Sequence, residues 1–260
     1  MPTKPIVVGV IPSRYASHRL PAKPLIDLCG KPMVQRVYEQ ARKSKLLDRI
    51  VIATDDVRIE EVVRQFGGDV MLTSQEIASG SDRVATVALH MAGDIFVNIQ
   101  GDEPLIAPEM IDQGIQLLID DTSAPVGTLI KQISSQEELL NPNVVKVVLN
   151  HEGYAIYFSR SIVPYVIDEA DNRRWLEKHT FYKHIGLYIF RRKFLLQYAQ
   201  MPVSNLEKAE KLEQLRILEA GYKIKVGITP CDSNPIDTQE DIARVVAILR
   251  QTLLTDVTQN

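Results

Sequence analysis

Ile6-Val-Val-Gly-Val-Ile11 runs directly into Pro12-Ser-Arg-Tyr-Ala-Ser-His-Arg-Leu-Pro-Ala-Lys23. An unbroken apolar run reads as a strand covered on both faces, the kind found in parallel sheets. The pattern repeats downstream. Met33 to Lys43 reads as a helix opened by Pro32, Arg49-Ile-Val-Ile-Ala53 as a strand, and Val57 to Phe66 as a helix stopped by Gly67-Gly68. Val70-Met-Leu72 is a short strand, Ser79 to Met91 a capped helix, and Asp94 to Ile99 a fourth strand. Helix 108–120 and strand 125–131 follow. Strand–helix alternation with short connections predicts an α/β fold, a mostly parallel sheet with helices on both faces.

After about Glu137 the pattern changes. Val144 to Leu149 and Tyr154 to Ser159 flank Asn150-His-Glu-Gly153 and read as a hairpin, and Ile185 to Phe190 as a further strand. No Pro/Gly/Ser linker separates this section, so residues 1–260 are expected to form one domain with a small β-rich insertion at about 140–190. Ser204-Asn-Leu-Glu207 is a capping box. It opens an expected single helix to Gly221, with Leu206, Ala209, Leu212, Leu215 and Leu218 on one stripe. Lys223 to Ile228 is a strand, and Thr238-Gln-Glu-Asp241 caps a final helix to about Leu254.

A net charge of −3 argues against a surface built for nucleic acid or an anionic membrane, so anion binding must be local. No apolar run approaches the roughly 20 residues of a bilayer span, and no cleavable signal pattern is present. Cys29 and Cys231 have no metal-ligand spacing and read as reduced thiols. The expected location is the cytoplasm, without membrane insertion.

Arg14, Arg19 and Lys23 crowd the loop after the first strand, where open α/β sheets bind ligands. Three cations there suit a triphosphate, although a solvated basic loop reads equally well. The loop has no glycine, so it is neither a Rossmann nor a Walker loop, and Gly9-Val-Ile-Pro-Ser-Arg lacks the turn of an NAD-dependent oxidoreductase. Gln100-Gly-Asp-Glu-Pro104 places two adjacent carboxylates at a strand end, either a solvated turn or a Mg²⁺ site, with Gly101 allowing close approach to a ligand. Asp237 either offsets a helix dipole or joins Asp102 on a metal. Ser79-Gly-Ser-Asp-Arg83 is a helix cap or a base or phosphate site. In the β-rich section Arg160, His184 and Tyr188 are either ordinary surface residues or contacts to a sugar acid. Glu213 and Gln214 are solvated or face sugar hydroxyls.

Taken together, these runs resemble the 3-deoxy-manno-octulosonate cytidylyltransferase (CMP-KDO synthetase) family. The resemblance is carried by Ile11 to Leu25, Gly30-Lys-Pro-Met33, Ala53-Thr-Asp55, Ser79 to Arg83, Asn98-Ile-Gln-Gly-Asp-Glu-Pro104 and Asn141 to Val148. It continues through Tyr157-Phe-Ser-Arg160, Lys183-His-Ile-Gly-Leu-Tyr188, Leu212-Glu-Gln-Leu-Arg216 and Val226 to Asp241. It spans roughly residues 6–250. Ser13 stands where the family often has Ala, Ser81-Asp82 where it often has Thr-Glu, and 166–178 matches poorly.

The resemblance implies a nucleotide-diphospho-sugar transferase (Rossmann-like) fold, a homodimer built on the β-rich section, CTP and KDO as substrates, and Mg²⁺. It implies CMP transfer to the anomeric hydroxyl of KDO, giving CMP-KDO for lipopolysaccharide biosynthesis. Arg14, Arg19 and Lys23 would hold the triphosphate, and Ser81, Arg83 and Gln100 would complete nucleotide binding. Asp102 and Asp237 would carry metal, acting catalytically with Arg14 and Lys23. Gln100, Arg160, His184, Tyr188, Glu213 and Gln214 would line the sugar pocket. Competing readings are another acidic acceptor (8-amino-KDO or a sialic acid) and a non-catalytic nucleotide-binding regulator.

Overall fold

A computed structural model describes residues 4–16, 20–77 and 79–258, with side chains as far as 252. The chain packs as two compact units, Met1–Asp112 with Asp232–Asn260, and Gln113–Cys231. The boundary at Asp112 falls inside the helix Pro108–Asp120, not at the change of pattern near 137.

The first unit holds β1 (Val7–Ser13), β2 (Arg49–Thr54), β3 (Val70–Leu72) and β4 (Ile95–Asn98) in the order β3-β2-β1-β4. All three of its strand pairings are parallel, as the apolar runs predict. Val7, Val8, Val10, Ile11, Ile52, Phe96 and Val97 have no solvent exposure, which explains the continuous rather than alternating apolar pattern. Helices Met33–Ala41, Val57–Gln65 and Gly80–His90 lie at the expected places. The last two are capped by Asp56 and Ser79, whose side chains accept from Arg58 N and Asp82 N. The final helix, Gln239–Thr258, buries Val245 and Leu249 with Ile236, Leu20, Leu28 and Met33.

The second unit holds β5 (Val126–Gln132), β6 (Lys146–Leu149), β7 (Ala155–Ser159), β8 (Tyr182–Arg191) and β9 (Ile224–Ile228). β9 runs parallel to β5, and β8 antiparallel to it. The expected hairpin is β6–β7, and β6 also pairs with β8. The β5–β8 register slips between Thr128 and Leu129, and Thr128 Oγ1 fills the irregularity by donating to Leu187 O at 2.8 Å.

The single helix expected from Ser204 to Gly221 is instead two, Asn205–Glu210 and Leu215–Glu219. Lys211 breaks it with φ 54°, a left-handed conformation that ends a helix. The expected stripe holds at Leu212 and Leu215, which are buried, and fails before the break. Leu206 is 38% exposed while Glu207 is buried, paired bidentately with buried Arg216 at 2.7 Å. The segment 166–178, silent in sequence, holds a short helix Trp175–Lys178. Its Trp175 packs with Ile133, Leu139 and Phe181.

Candidate active site

β1 ends in the cationic loop, and the loop turns back at Ala22, whose φ of 53° is left-handed. The short 3-10 turn Lys23–Leu25 follows and aims Lys23 inward. The Lys23 ammonium donates to Asp102 Oδ2 at 2.7 Å and to Asp237 Oδ1 at 3.1 Å. Two carboxylates far apart in sequence therefore converge on one position. Lys23 is mostly buried there, whereas Asp102 and Asp237 keep side-chain exposures of 30% and 40%.

These three residues line a cleft of about 480 Å³ together with Arg14, Gln100, Gly101, Gly80, Ser13 and Pro12. A Cβ on Gly101 would stand 2.5 Å from the carbonyl oxygen of Pro12, so the glycine admits the protein's own backbone. Arg19 lies outside the described residues.

The adjacent carboxylates of Asp102 and Glu103 do not act as a pair. Glu103 is buried at 7% exposure and accepts from Asn234 N at 2.9 Å and from Ser233 Oγ. Burial pushes its carboxyl up to about 7, against the opposing pull of these hydrogen bonds.

The helix Gly80–His90 brings its N-terminal glycine to the cleft. Ser81 and Arg83 do not line the cleft but are buried in the same helix. Arg83 has no exposure and donates from Nη2 to Asp55 Oδ2 at 3.0 Å and from Nη1 to Thr73 Oγ1. Burial lowers its pKa, with the Asp55 charge opposing and the Arg14 charge adding to the shift. Asp55 also accepts from Tyr15 N at 3.3 Å, which ties the loop after β1 to the end of β2. Among the described residues three buried polar atoms here have no partner: Ser13 Oγ, Asn98 Oδ1 and Arg83 Nε. Buried polar atoms are rarely left unpaired, so this group suits a polar ligand. Sequence reading missed Asp55 and Asn98 as site residues. The available signal for Asn98 is a polar side chain closing a buried apolar strand.

In the second unit His184, Tyr188 and Glu213 come together. The His184 and Tyr188 rings lie 5.2 Å apart, and Phe158 meets the imidazole edge-on. His184 Nε2 hydrogen-bonds Thr128 Oγ1 at 2.9 Å. The packed surroundings hold its pKa down to about 3, so the ring is neutral. Burial, reinforced by the Glu213 charge, holds the Tyr188 phenol well above its ordinary range. Gln214 is 3% exposed, and its Nε2 has no partner among the described residues. Arg160 is anchored on backbone. Its guanidinium donates to the carbonyls of Glu210 at 2.6 Å, Pro142 at 3.1 Å and Lys211 at 3.4 Å.

The donor set is a test for a divalent cation. Among the described residues no three His, Cys, Asp or Glu side chains cluster. Two carboxylates converging in an open cleft are instead what Mg²⁺ uses when phosphates and water complete its shell. Charge points the same way. In the cleft Arg14 and Lys23 are offset by Asp102 and Asp237, and a triphosphate needs added positive charge.

Residues 8–224 match the cytidylyltransferase family. The chain is 49% identical over 249 residues to 3-deoxy-manno-octulosonate cytidylyltransferase of Geotalea uraniireducens (strain Rf4), covering 94% of this chain and 99% of the relative. It is 51% identical over 248 residues to the protein of that name from Parabacteroides distasonis, covering 93% and 97%. Among solved structures, CMP:2-keto-3-deoxy-manno-octonic acid synthetase complexed with CTP superposes with a TM-score of 0.89 at 42% identity, covering 95% of this chain and 99% of that one. The fold is accordingly that of the nucleotide-diphospho-sugar transferases, and the chain belongs to the 3-deoxy-manno-octulosonate cytidylyltransferases of the cytidylyltransferase family.

Proposed function

We propose that the chain transfers CMP from CTP to the anomeric hydroxyl of 3-deoxy-D-manno-octulosonate, releasing pyrophosphate and forming CMP-KDO for lipopolysaccharide biosynthesis. The observation that carries this reading is the meeting of Asp102 and Asp237 on the Lys23 ammonium, in a cleft that also holds Arg14 and Gln100. Family membership makes the chain a nucleotidyltransferase.

The chemistry is an in-line displacement at the α-phosphorus, in which the sugar oxygen forms a bond as the bond to pyrophosphate breaks. It needs positioning and charge neutralisation, not an enzyme nucleophile. Arg14 and Lys23 offset the charge that grows on the leaving pyrophosphate, and Arg19 joins them on the triphosphate. Asp102 and Asp237 would hold Mg²⁺. That ion, when bound, lowers the pKa of a coordinated hydroxyl and withdraws charge from phosphate oxygens. Gln100 holds the nucleotide from the cleft wall, and Ser81 and Arg83 support that site from the buried side of the helix whose Gly80 lines the cleft. Gln100, His184, Tyr188, Glu213 and Gln214 recognise the sugar, with the neutral imidazole and the protonated phenol acting as hydrogen-bonding groups rather than charges. Arg160 contributes through the N–H groups that its three carbonyl bonds leave over.

The chain acts as one catalytic domain, in the cytoplasm and as a homodimer. Ile156, Tyr165 and Ile167, at 58%, 67% and 82% exposure, give the β-rich section an apolar surface suited to a second copy. No helix among the described residues is long and apolar enough to cross a membrane.

Pyrophosphate release from CTP tests the reading. The expected result is release that requires the octulosonate and a divalent cation, and that stops on adding EDTA. Equal rates with 8-amino-KDO or a sialic acid would move the acceptor assignment. CTP binding without turnover on any acidic sugar would leave only a nucleotide-binding regulator.

A further inference from the structure

Asp237 sits in a stretch without regular structure, from Asp232 to Asp237, just before the final helix. Such a segment does not by itself hold a carboxylate to the fraction of an ångström that phosphoryl transfer demands. Three tethers connect it to the turn that carries Asp102. Glu103 accepts from Ser233 Oγ and from Asn234 N at 2.9 Å. Ile236 N donates to the carbonyl oxygen of Asp102 itself at 3.0 Å. Ile236 is fully buried and anchors the far end of the segment.

The choice of a carboxylate is informative. Burying an acid costs free energy, and a site that needed only space would carry an apolar residue. The two oxygens of one carboxyl group can each accept a hydrogen bond. Glutamate at 103 thus grips a side-chain donor and a backbone donor of the same segment together. Its neighbour Asp102 points instead to Lys23.

We infer that Glu103 is a positioning residue, strapping the Gly101–Pro104 turn to the Ser233–Asp237 segment and thereby setting where Asp237 stands opposite Asp102. It touches neither substrate nor metal, and acts through Asp237. The inference rests on the reading of Asp102 and Asp237 as the metal-holding pair.

The full chain is titrated with Mn²⁺ in the presence of CTP, with free Mn²⁺ followed by electron paramagnetic resonance, and kcat is measured at saturating CTP. Glu103→Gln keeps one acceptor but turns an NH₂ group on the other donor. The expected result is a roughly tenfold weaker Mn²⁺ half-saturation and a kcat 10- to 100-fold lower, as a slip approaching 1 Å produces. The KM for CTP at saturating metal is expected to stay within about threefold, because Arg14 and Lys23 are untouched. Ser233→Ala removes one tether and shifts the same two quantities in the same direction by less. It also serves if Glu103→Gln does not fold. Glu103→Gln and Ser233→Ala combined are expected to be no worse than Glu103→Gln alone, since both break one strap.

Asp102→Asn and Asp237→Asn are carried through the same titration. If both weaken Mn²⁺ binding while Glu103→Gln or Ser233→Ala leaves Mn²⁺ binding and kcat unchanged, the strap is refuted and the metal pair stands. If neither aspartate variant alters Mn²⁺ binding, the metal pair falls and the inference falls with it.

Discussion

Gly101→Ala adds one methyl group, and the structure states what it meets. The new Cβ would lie 2.5 Å from the Pro12 carbonyl oxygen and 3.3 Å from Ser13 Oγ, where an ordinary contact begins at 3.4 Å. The nearest atom is backbone, so no side chain can swing away. Either the loop after β1 or the turn carrying Asp102 must yield by about 0.9 Å. Overpacking of this kind costs about 1–3 kcal/mol. At roughly 3 °C per kcal/mol for a chain of this size, the thermal midpoint drops by about 3–9 °C. The larger effect is on rate. Asp102 is the next residue, and a displacement near 1 Å at a reacting centre costs on the order of 100-fold. Pyrophosphate release and a thermal melt are the two assays. Gly80→Ala supplies the contrast for stability, since its added Cβ meets nothing nearer than 3.8 Å. A Gly101→Ala protein with wild-type kcat and an unmoved melt would refute the argument from close approach.

Other outcomes follow from the same contacts. Lys23→Ala removes a cation that Asp102 and Asp237 share, and is expected to lose about 100-fold in kcat as well as CTP affinity in steady-state kinetics. Asp102→Asn is expected to lose most of its turnover at every Mg²⁺ concentration, and unchanged kinetics in both variants would remove the proposed mechanism. His184 stays neutral in the fold down to about 3, whereas in the unfolded chain it titrates near 6.5. The unfolded chain therefore takes up a proton that the fold refuses. Stability from this group is full above about 6.5 and is lost as pH falls toward 3, by at most about 1.4 kcal/mol per pH unit. Urea midpoints at pH 7.5 and 5 check this, and His184→Gln is expected to flatten the difference. Arg216→Ala strands the buried Glu207 carboxylate and removes a guanidinium 4.9 Å from the Tyr198 ring centroid. A loss of about 3–5 kcal/mol in urea denaturation is the expected size.

Much of the first unit was legible because its strands are buried on both faces, and such strands announce themselves as apolar runs. β1 and β2 read directly from Ile6 to Ile11 and Arg49 to Ala53. Periodicity failed at 204–221, where leucine spacing implied one continuous helix. The break at Lys211 depends on a backbone conformation that lysine does not advertise, and the buried face carries Glu207 and Arg216 beside Leu212 and Leu215 while the expected Leu206 stays exposed. Residue types identified the cleft cations and carboxylates but not their distances. That Asp102 and Asp237 meet, and that Glu103 turns away from Asp102, are facts of chain folding across long sequence separations. Local pattern does not encode them. Gln214 could be named as a polar residue beside a leucine stripe, but only burial shows that its amide lacks a partner.

The Lys146 ammonium, with no exposure, donates to the carbonyls of Asn141 at 2.7 Å, Val144 at 2.8 Å and Arg160 at 3.2 Å. With the Arg160 guanidinium it forms a pair of cations cross-linking backbone, and neither faces a carboxylate in these bonds. Dissolved electrolyte screens opposed charges exposed to solvent, but it has little hold on a dry cation clasped by peptide dipoles. The crossing of chain that Lys146 clasps, at 141–146 and 160, therefore keeps its shape in brine. Amine-directed reagents that label the surface lysines leave position 146 unmarked while the protein stays folded.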